Sequence, residues 1–318
     1  LITKIGENAV KSFLKKYVPL SFVISLIFAF SGYIILSLCD ESPRFANGIS
    51  DGIGAFLRRA MAYITNSIGV SVAEILVILL ILLGIAVVLI SIFGLRTARG
   101  RVRLVCYILA FVLFMYSWYS IAFGASYHTS SVNERMGFDT VGVDEQSLDN
   151  LAVYLSGELN SLSSLIESEN GESVMGYGER ELSEKIVAAY DAFLTDYPIF
   201  ENFESYVKPV MLSELMAYAG LLGIYTYFSG EANLSVVYPD YCLASAAIHE
   251  FAHQRGVARE DEANFMAFLV CARSEDDYIR YCAYLNLYEY VASALYRADS
   301  ELYFKAQATL PACVKAEM

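Results

Sequence analysis

Histidine is scarce in this chain of 318 residues, and paired cysteines are missing from it. Only three histidines are present, and no two of the six cysteines form a C-x-x-C pair. The missing pair argues against a zinc site built from cysteines. We also find no internal repeat and no low-complexity tract. The length therefore suits one or two ordinary domains.

Charge is distributed unevenly along the chain. Residues 1–123 carry eleven Lys or Arg and five Asp or Glu, whereas residues 124–318 carry eleven and thirty, which together give the net charge of −13. The mean hydropathy is nevertheless +0.45. This asymmetry predicts a membrane anchor, residues 1–123, followed by a water-facing domain, residues 124–318. Because the acidic part has no basic patch to neutralise phosphates, we expect no nucleic-acid partner.

Three long uncharged runs lie in the predicted anchor, at residues 17–39, 75–95 and 104–123. A helix of roughly 20 apolar residues crosses the hydrocarbon core of a bilayer. We therefore predict three transmembrane helices over these ranges, with the lipid bilayer as a partner. Apolar residues recur at helical spacing over 47–68, which predicts an amphipathic helix. That helix lies either in the membrane interface or on the water-facing domain.

Basic residues flank the predicted spans asymmetrically. They precede the first span and fill the loop between the second and third: Lys4, Lys11, Lys15, Lys16, Arg96, Arg99, Arg101 and Arg103. Positively charged loops stay on the cytoplasmic side of a membrane. We therefore predict a multi-pass protein of the cell membrane with a cytoplasmic N-terminus. Residues 124–318 are then extracytoplasmic.

The water-facing domain is predicted to be mostly helical, with a short β element. Apolar spacing predicts helices over 144–167 and 181–198. The uncharged run 215–228 is too short to span a membrane, and it predicts a buried or membrane-surface helix. The stretch ANLSVVY (232–238) has the β-branched, alternating pattern of one strand. The fold class is thus mainly α.

The chemical signal of the chain is the stretch His-Glu-Phe-Ala-His, residues 249–253. His249 and His253 lie one turn apart on one face of a helix, so both can bind a single metal ion. Glu250 stands beside the first histidine, where it can accept a proton from an activated water molecule. This arrangement predicts Zn²⁺ as the cofactor and Glu250 as the general base. The alternative is a solvated helix without a metal.

A third ligand requires the chain to reverse. On a continuous helix Glu260 would lie about 16 Å from His249 along the axis, whereas zinc bonds are about 2 Å long. Gly256 can end the first helix in the left-handed conformation, so that a second helix begins near Glu260. The spacing alone leaves Glu260, Asp261 and Glu262 open as the third ligand.

The choice of Glu260 would also give a role to Asn264. The two residues are four apart and share a helix face. If Glu260 binds the metal, the Asn264 amide is directed at the same site, where it can orient a ligand histidine through a hydrogen bond.

Two stretches carry a family resemblance: HEFAHQRGVAREDEANFMAFLVC (249–271) and KPVMLSELMAYAGLLGIYTYFSGEANLSVVYPD (208–240). Over most of residues 205–310 the chain resembles the bacterial membrane family catalogued as domain of unknown function 3810, which is regarded as zincin-like and has no assigned substrate. The pattern E-x-x-A-N-x-x-A also resembles that of the gluzincin metallopeptidases.

The gluzincin resemblance implies zinc bound by His249, His253 and Glu260, with Asn264 in a position where Asp is usual. It further implies that the extracytoplasmic domain is zincin-like and hydrolyses peptide bonds, so that the partner is a peptide or protein substrate. In gluzincins a strand placed like 231–238 binds the substrate by edge addition. The alternative function is a non-catalytic zinc-binding membrane sensor or scaffold module.

Overall fold

The computed structural model describes residues 14–93 and 97–318. Lys4, Lys11 and Arg96, on which the predicted orientation partly rests, lie outside these ranges, as does the end of the predicted span 75–95. The described chain forms two compact units. The first contains the described residues up to Gly54 together with residues 73–129, and the second contains residues 55–72 and 130–318. Residues 55–72, which lie within the predicted anchor 1–123, belong to the second unit.

The described chain is mainly helical, which confirms that part of the predicted fold class. The elements before residue 200 are α1 (Leu20–Glu41), α2 (Pro43–Ile49), a π-helical turn (Ser50–Gly54), α3 (Ala55–Asn66), α4 (Val72–Phe93), α5 (Ala98–Ala122), a 3₁₀ turn (Gly124–His128), α6 (Val132–Met136), α7 (Glu145–Ser163), β1 (Ser168–Glu169), β2 (Glu172–Ser173) and α8 (Glu179–Asp196). The later elements are β3 (Lys208–Pro209), α9 (Ser213–Tyr218), β4 (Gly223–Thr226), β5 (Glu231–Leu234), α10 (Asp240–Gln254), α11 (Glu260–Cys271), α12 (Asp277–Ala298), α13 (Ser300–Ala308) and α14 (Ala312–Glu317).

Three helices are long and apolar enough to cross a membrane, over Leu20–Glu41, Val72–Ile92 and Ala98–Ala122. They correspond to the three predicted spans, with slightly different ends. Membrane insertion is thereby supported, whereas the side of the membrane on which each loop lies stays a prediction.

Within the first unit, α1 and α5 pack through small residues. A Cβ atom at Gly32 would lie 3.1 Å from the Ser120 hydroxyl and 3.3 Å from the Ser117 Cα atom. Small side chains allow such close approach between membrane helices, where van der Waals packing drives association. Arg99 Nε donates to the Lys16 carbonyl at 3.0 Å, so the starts of these two helices lie at the same end of the unit.

The amphipathic stretch 47–68 is helical up to Asn66, but it is not a regular α-helix throughout. Its regular path is interrupted by the π-helical turn Ser50–Gly54, where two glycines lower the helix propensity. The later part is α3, in which Ala62 is buried while Phe56 and Ile64 are 59% and 58% exposed. Contact between this exposed face and lipid stays a prediction.

The predicted helix over 215–228 is also wrong, because the chain turns after α9. Gly220 has φ +73°, and the Leu221 N–H donates to the Met216 carbonyl at 3.0 Å, which ends the helix. The chain continues as β4, which pairs with β5 in a three-stranded sheet of order β3-β5-β4. β4 is antiparallel to β5, and β3 is parallel to it.

The sheet of the second unit also holds the turn between α3 and α4. The buried Lys208 ammonium donates to the carbonyls of Thr65 and Ile68, at the carboxyl end of α3. The buried Glu231 carboxylate accepts from the Val72 N–H at 3.1 Å, at the amino end of α4. A cation near helix carbonyls and an anion near helix amides are both favourable. β3 and β5 therefore hold residues 65–72, which belong to the second unit.

We expect Gly230→Ala to destabilise the second unit far more than Gly137→Ala. Both glycines have left-handed φ angles, +71° and +72°, so each alanine costs about 1 kcal/mol of backbone strain. Only at Gly230 is there no room, because a Cβ would lie 2.6 Å from the Met61 Cβ and 2.9 Å from the Ala62 nitrogen. Overpacking adds about 1–3 kcal/mol. Equal losses in unfolding free energy, measured in detergent, would contradict this reading.

Candidate metal centre

The candidate centre begins at the carboxyl end of α10. Gly256 has φ +100°, its N–H donates to the His253 carbonyl, and the Val257 N–H donates to the Ala252 carbonyl. This pair of hydrogen bonds is the Schellman motif, in which a left-handed glycine ends a helix. The chain then reverses, and α11 begins at Glu260. The order of helix, reversal at Gly256 and second helix agrees with the expectation from the sequence.

The reversal brings three potential ligands together. The ligand atoms of His249, His253 and Glu260 all lie within 4.8 Å of one another. The two histidine Nε2 atoms are 2.9 Å apart, and they lie 3.1 and 3.4 Å from the two Glu260 oxygens. The histidine side chains are 17% and 9% exposed and that of Glu260 is 76% exposed. The group is therefore anchored in the domain and open to solvent on the Glu260 side.

The far nitrogen of each histidine is held by an oxygen. His249 Nδ1 lies 2.8 Å from Asn264 Oδ1, and His253 Nδ1 lies 2.7 Å from the Val257 carbonyl. Both oxygens only accept hydrogen bonds, so each Nδ1 carries a proton and each Nε2 carries a lone pair. Burial lowers the pKa of His249, with a further contribution from His253, which also favours the neutral ring.

Glu262 is directed away from this group. Its Oε1 accepts from the Val132 N–H at 2.9 Å and from the Arg259 guanidinium. The Glu262 side chain therefore connects α11 to α6 and does not face the histidines. Of the three acidic candidates, Glu260 alone belongs to the described group with the two histidines. The third histidine, His128, contacts Asp40 in the first unit at 3.3 Å.

Glu250 is buried beside β4. Its residue is 6% exposed, and its Oε2 has no hydrogen-bond partner among the described residues. Burial raises the pKa of Glu250 to about 8, although a hydrogen bond from the Tyr225 backbone opposes this shift. A Cβ atom at Gly223 would lie 2.7 Å from the Glu250 Cγ and 2.8 Å from its Oε1. The glycine therefore provides the space that this carboxyl group occupies.

The strand before α10 is not the one at the edge of the sheet, which corrects the expectation from resemblance. β5 lies between β3 and β4, so it is paired on both sides at residues 233–234. The outermost described strand next to Glu250 is β4. β4 lies in the uncharged run 215–228. This run has no alternation of polar and apolar residues by which a strand could be distinguished from a helix.

The donor set fits a zinc ion. Two imidazole nitrogens and one carboxylate are the protein ligands of one type of catalytic zinc site. Two atoms that each lie about 2.1 Å from one ion at a tetrahedral angle are about 3.4 Å apart, close to the distances observed between the ligand atoms. Without a cation, the lone pairs of the two Nε2 atoms would face each other across 2.9 Å, which is repulsive.

Two further residues at the centre were missed in the sequence. Tyr290 accepts a hydrogen bond from Asn264 Nδ2 at 3.0 Å, so it holds the amide with its oxygen towards His249. Gly223 borders Glu250. Two other tyrosines of the same helix, Tyr281 and Tyr284, instead contact Glu317 and Tyr154. Tyr290 is one of 24 tyrosines, and nothing in the sequence around it marks it as part of the centre.

A comparison with protein families finds a match over residues 50–318 to the family described as Protein of unknown function (DUF3810). This range covers most of the chain and contains the whole candidate centre. No curated protein and no solved structure matches the chain.

We expect Glu260→Gln and Glu262→Gln to differ in zinc binding. Loss of a partner that only orients a ligand costs about 10–100-fold in metal affinity, so loss of the Glu260 ligand should cost at least about 100-fold. Glu262→Gln should retain zinc, because its carboxylate contacts Val132 and Arg259. Elemental analysis after dialysis against a chelator measures the difference. Loss of zinc only in Glu262→Gln would assign the third ligand to Glu262.

In the zinc-free protein we expect Glu250→Gln to alter the pH dependence of stability. The pKa of this carboxyl rises from 4.5 in the unfolded chain to about 8 in the folded one. The folded state therefore binds a proton that the unfolded state loses, and stability falls as pH rises from 5 to 8, by on the order of 3 kcal/mol. The glutamine variant should not show this fall.

Denaturant unfolding of chelator-treated protein at pH 5 and pH 8 measures this effect. The exposed Glu169→Gln variant is the matched control. The same pH dependence in wild type and in Glu250→Gln would show that Glu250 is not the group that titrates.

Proposed function

We propose that this chain, which belongs to the family described as Protein of unknown function (DUF3810), is a membrane-anchored, zinc-dependent metallopeptidase. The observation that carries the proposal is that the ligand atoms of His249, His253 and Glu260 lie within 4.8 Å of one another. Glu250, which follows His249 directly on α10, is buried. Zinc is the cofactor that this donor set favours.

Glu250 is the residue to which we assign the proton transfers. Its Oε2 is buried without a hydrogen-bond partner among the described residues. A bound zinc cation would lower the pKa of about 8 that burial gives the metal-free carboxyl, so that this oxygen could accept a proton. When bound, zinc supplies Lewis acidity, which makes a water molecule acidic near neutral pH. Glu250 would take a proton from the water whose oxygen bonds to the carbonyl carbon, and would deliver that proton to the amine nitrogen as the C–N bond breaks.

The contacts behind the histidines support the same function. Asn264 and the Val257 carbonyl hold the two Nδ1 atoms, so both Nε2 atoms are directed to one point. Asn264 is neutral, whereas a carboxylate would make His249 more basic. The amide still fixes the orientation of the ring, because Tyr290 holds its nitrogen.

A peptide substrate fits the edge of the sheet. β4 is the outermost strand on its side, and Gly223 at its start lies against Glu250. An extended peptide that adds to such an edge gains main-chain hydrogen bonds. It would thereby place a peptide bond near the general base. We infer that β4, rather than β5, takes the substrate.

The orientation in the membrane that we favour is the one with an extracytoplasmic second unit. Lys15, Lys16, Arg99, Arg101 and Arg103 lie near the starts of α1 and α5. Positive residues of this kind stay in the cytoplasm. Residues 130–318 then follow the third span on the opposite side, at the surface of the cell membrane.

Hydrolysis of a peptide library by the full-length chain, purified with zinc and read by mass spectrometry, tests the proposal. We expect Glu250→Gln to keep zinc and to lose about 100-fold or more in rate, because the proton acceptor is gone. Gly223→Ala should also lose about tenfold or more, because its Cβ displaces the Glu250 side chain. Gly176→Ala is the matched control, since nothing lies within 4 Å of that position.

The outcomes separate the candidate functions. Full activity in Glu250→Gln would refute the role of this residue. A wild-type chain that binds zinc and cleaves no peptide would favour the sensor or scaffold module. A chain that binds no zinc would exclude both.

A further inference from the structure

An exposed apolar surface borders the candidate centre in the second unit. We call it the apolar patch and define it by six residues on α9, around β4 and after β5: Leu212, Leu215, Tyr218, Leu221, Ile224 and Val237. Each is between 41% and 91% exposed. Exposed apolar side chains that form one contiguous surface usually mark a site that another molecule or a membrane covers.

Hydrogen bonds hold the segments of the apolar patch together. The Ser213 hydroxyl accepts from the Val236 N–H at 3.0 Å, and the Ser235 hydroxyl donates to the Ser213 carbonyl at 3.0 Å. The Ser235 N–H donates to the Leu222 carbonyl at 2.8 Å. α9, the start of β4 and the segment after β5 therefore form one surface.

The apolar patch is nearly free of charge in a strongly acidic domain. Between Lys208 and Asp240 only Glu214 and Glu231 are charged. Glu231 is 1% exposed, so the exposed Glu214 on α9 is the single charged side chain of this stretch at the surface. An acidic domain is repelled by anionic lipid headgroups and by other acidic surfaces. The apolar patch can approach a bilayer at a lower cost than the acidic surfaces of the domain. Tyr218, 91% exposed, is a residue type enriched at the membrane–water boundary.

The chain itself brings the second unit to the bilayer surface. Val72 is the first residue of one candidate span, and Ala122 is the last residue of another. If all three spans cross, the end of α1, the start of α4 and the end of α5 lie on one side of the membrane. The chain thus joins the second unit to the spans at three points, and seven residues lie between Ala122 and Ser130.

One of these points lies next to the sheet. The Val72 N–H, at the entry to the span, donates to the Glu231 side chain, and Glu231 is the first residue of β5. The apolar patch therefore borders the same small sheet that binds Val72, the residue at which the chain passes from the second unit into a candidate span.

We propose that the apolar patch rests in the boundary between headgroups and acyl chains of the same bilayer that the three helices cross. A surface of this kind buries its side chains about 5–10 Å below the headgroups. The partner is a lipid surface, and the inference holds whether or not the centre hydrolyses peptides.

Depth-dependent fluorescence quenching tests the proposal on the full-length chain in phosphatidylcholine liposomes. An environment-sensitive fluorophore is attached at Leu215→Cys, after Cys242 and Cys313, the two thiols that are not fully buried, are replaced by serine. The matched control carries the label at Val153→Cys, because Val153 is apolar and 57% exposed but lies on α7. Lipids with nitroxide-labelled acyl chains quench from the membrane, and iodide quenches from water.

We expect the Leu215 label to be quenched by the nitroxide lipids about twofold or more strongly than the control label, and to be protected from iodide. Replacing Leu212 and Tyr218 by Asp in the labelled protein should abolish that difference. Equal quenching of the two labels by iodide would overturn the proposal, since the patch would face water. Protection from iodide without quenching by lipid would also overturn it, because a second copy or a peptide would then cover the patch.

Discussion

The reversal of the chain between His253 and Glu260 is the constraint on which the candidate centre depends. A straight helix separates His249 from Glu260 by about 16 Å, so no single helix can supply all three ligands. The left-handed Gly256 removes this separation within a few residues. The reversal also provides the Val257 carbonyl, which lies 2.7 Å from His253 Nδ1. The same turn therefore brings the third ligand in and fixes the tautomer of the second.

The same turn sets where α11 starts. That start determines which contacts Glu260 and Glu262 make. Glu260 lies on the side of the histidines, and Asn264, one turn later, reaches His249. Glu262 points to the other side and accepts from the Val132 N–H. Carboxylates two residues apart on a helix face different directions, so a helix that presents Glu260 to the histidines has to direct Glu262 elsewhere.

Local geometry was enough to predict that His249 and His253 share one helix face and that the chain reverses at Gly256, because both are properties of short stretches. The choice of Glu260 came from the gluzincin resemblance, since the spacing alone left three acids open as the third ligand. The sheet could not be predicted in the same way. Residues 215–228 are uncharged throughout, so neither helical nor strand periodicity is visible, and β4 exists because it pairs with β5. Gly223 and Tyr290 matter only through contacts with residues far along the chain.

The segment 55–72 shows the same limit and links the anchor to the sheet. Its amphipathic pattern predicts a helix with an apolar face. The pattern does not distinguish between lipid and protein as the surface that covers this face. In the fold α3 places Met61 and Ala62 against Gly230, and the sheet holds the following turn through Lys208 and Glu231. Because β5 pairs with β4, and β4 borders Glu250, a loop between two candidate spans is part of the framework that positions the general base.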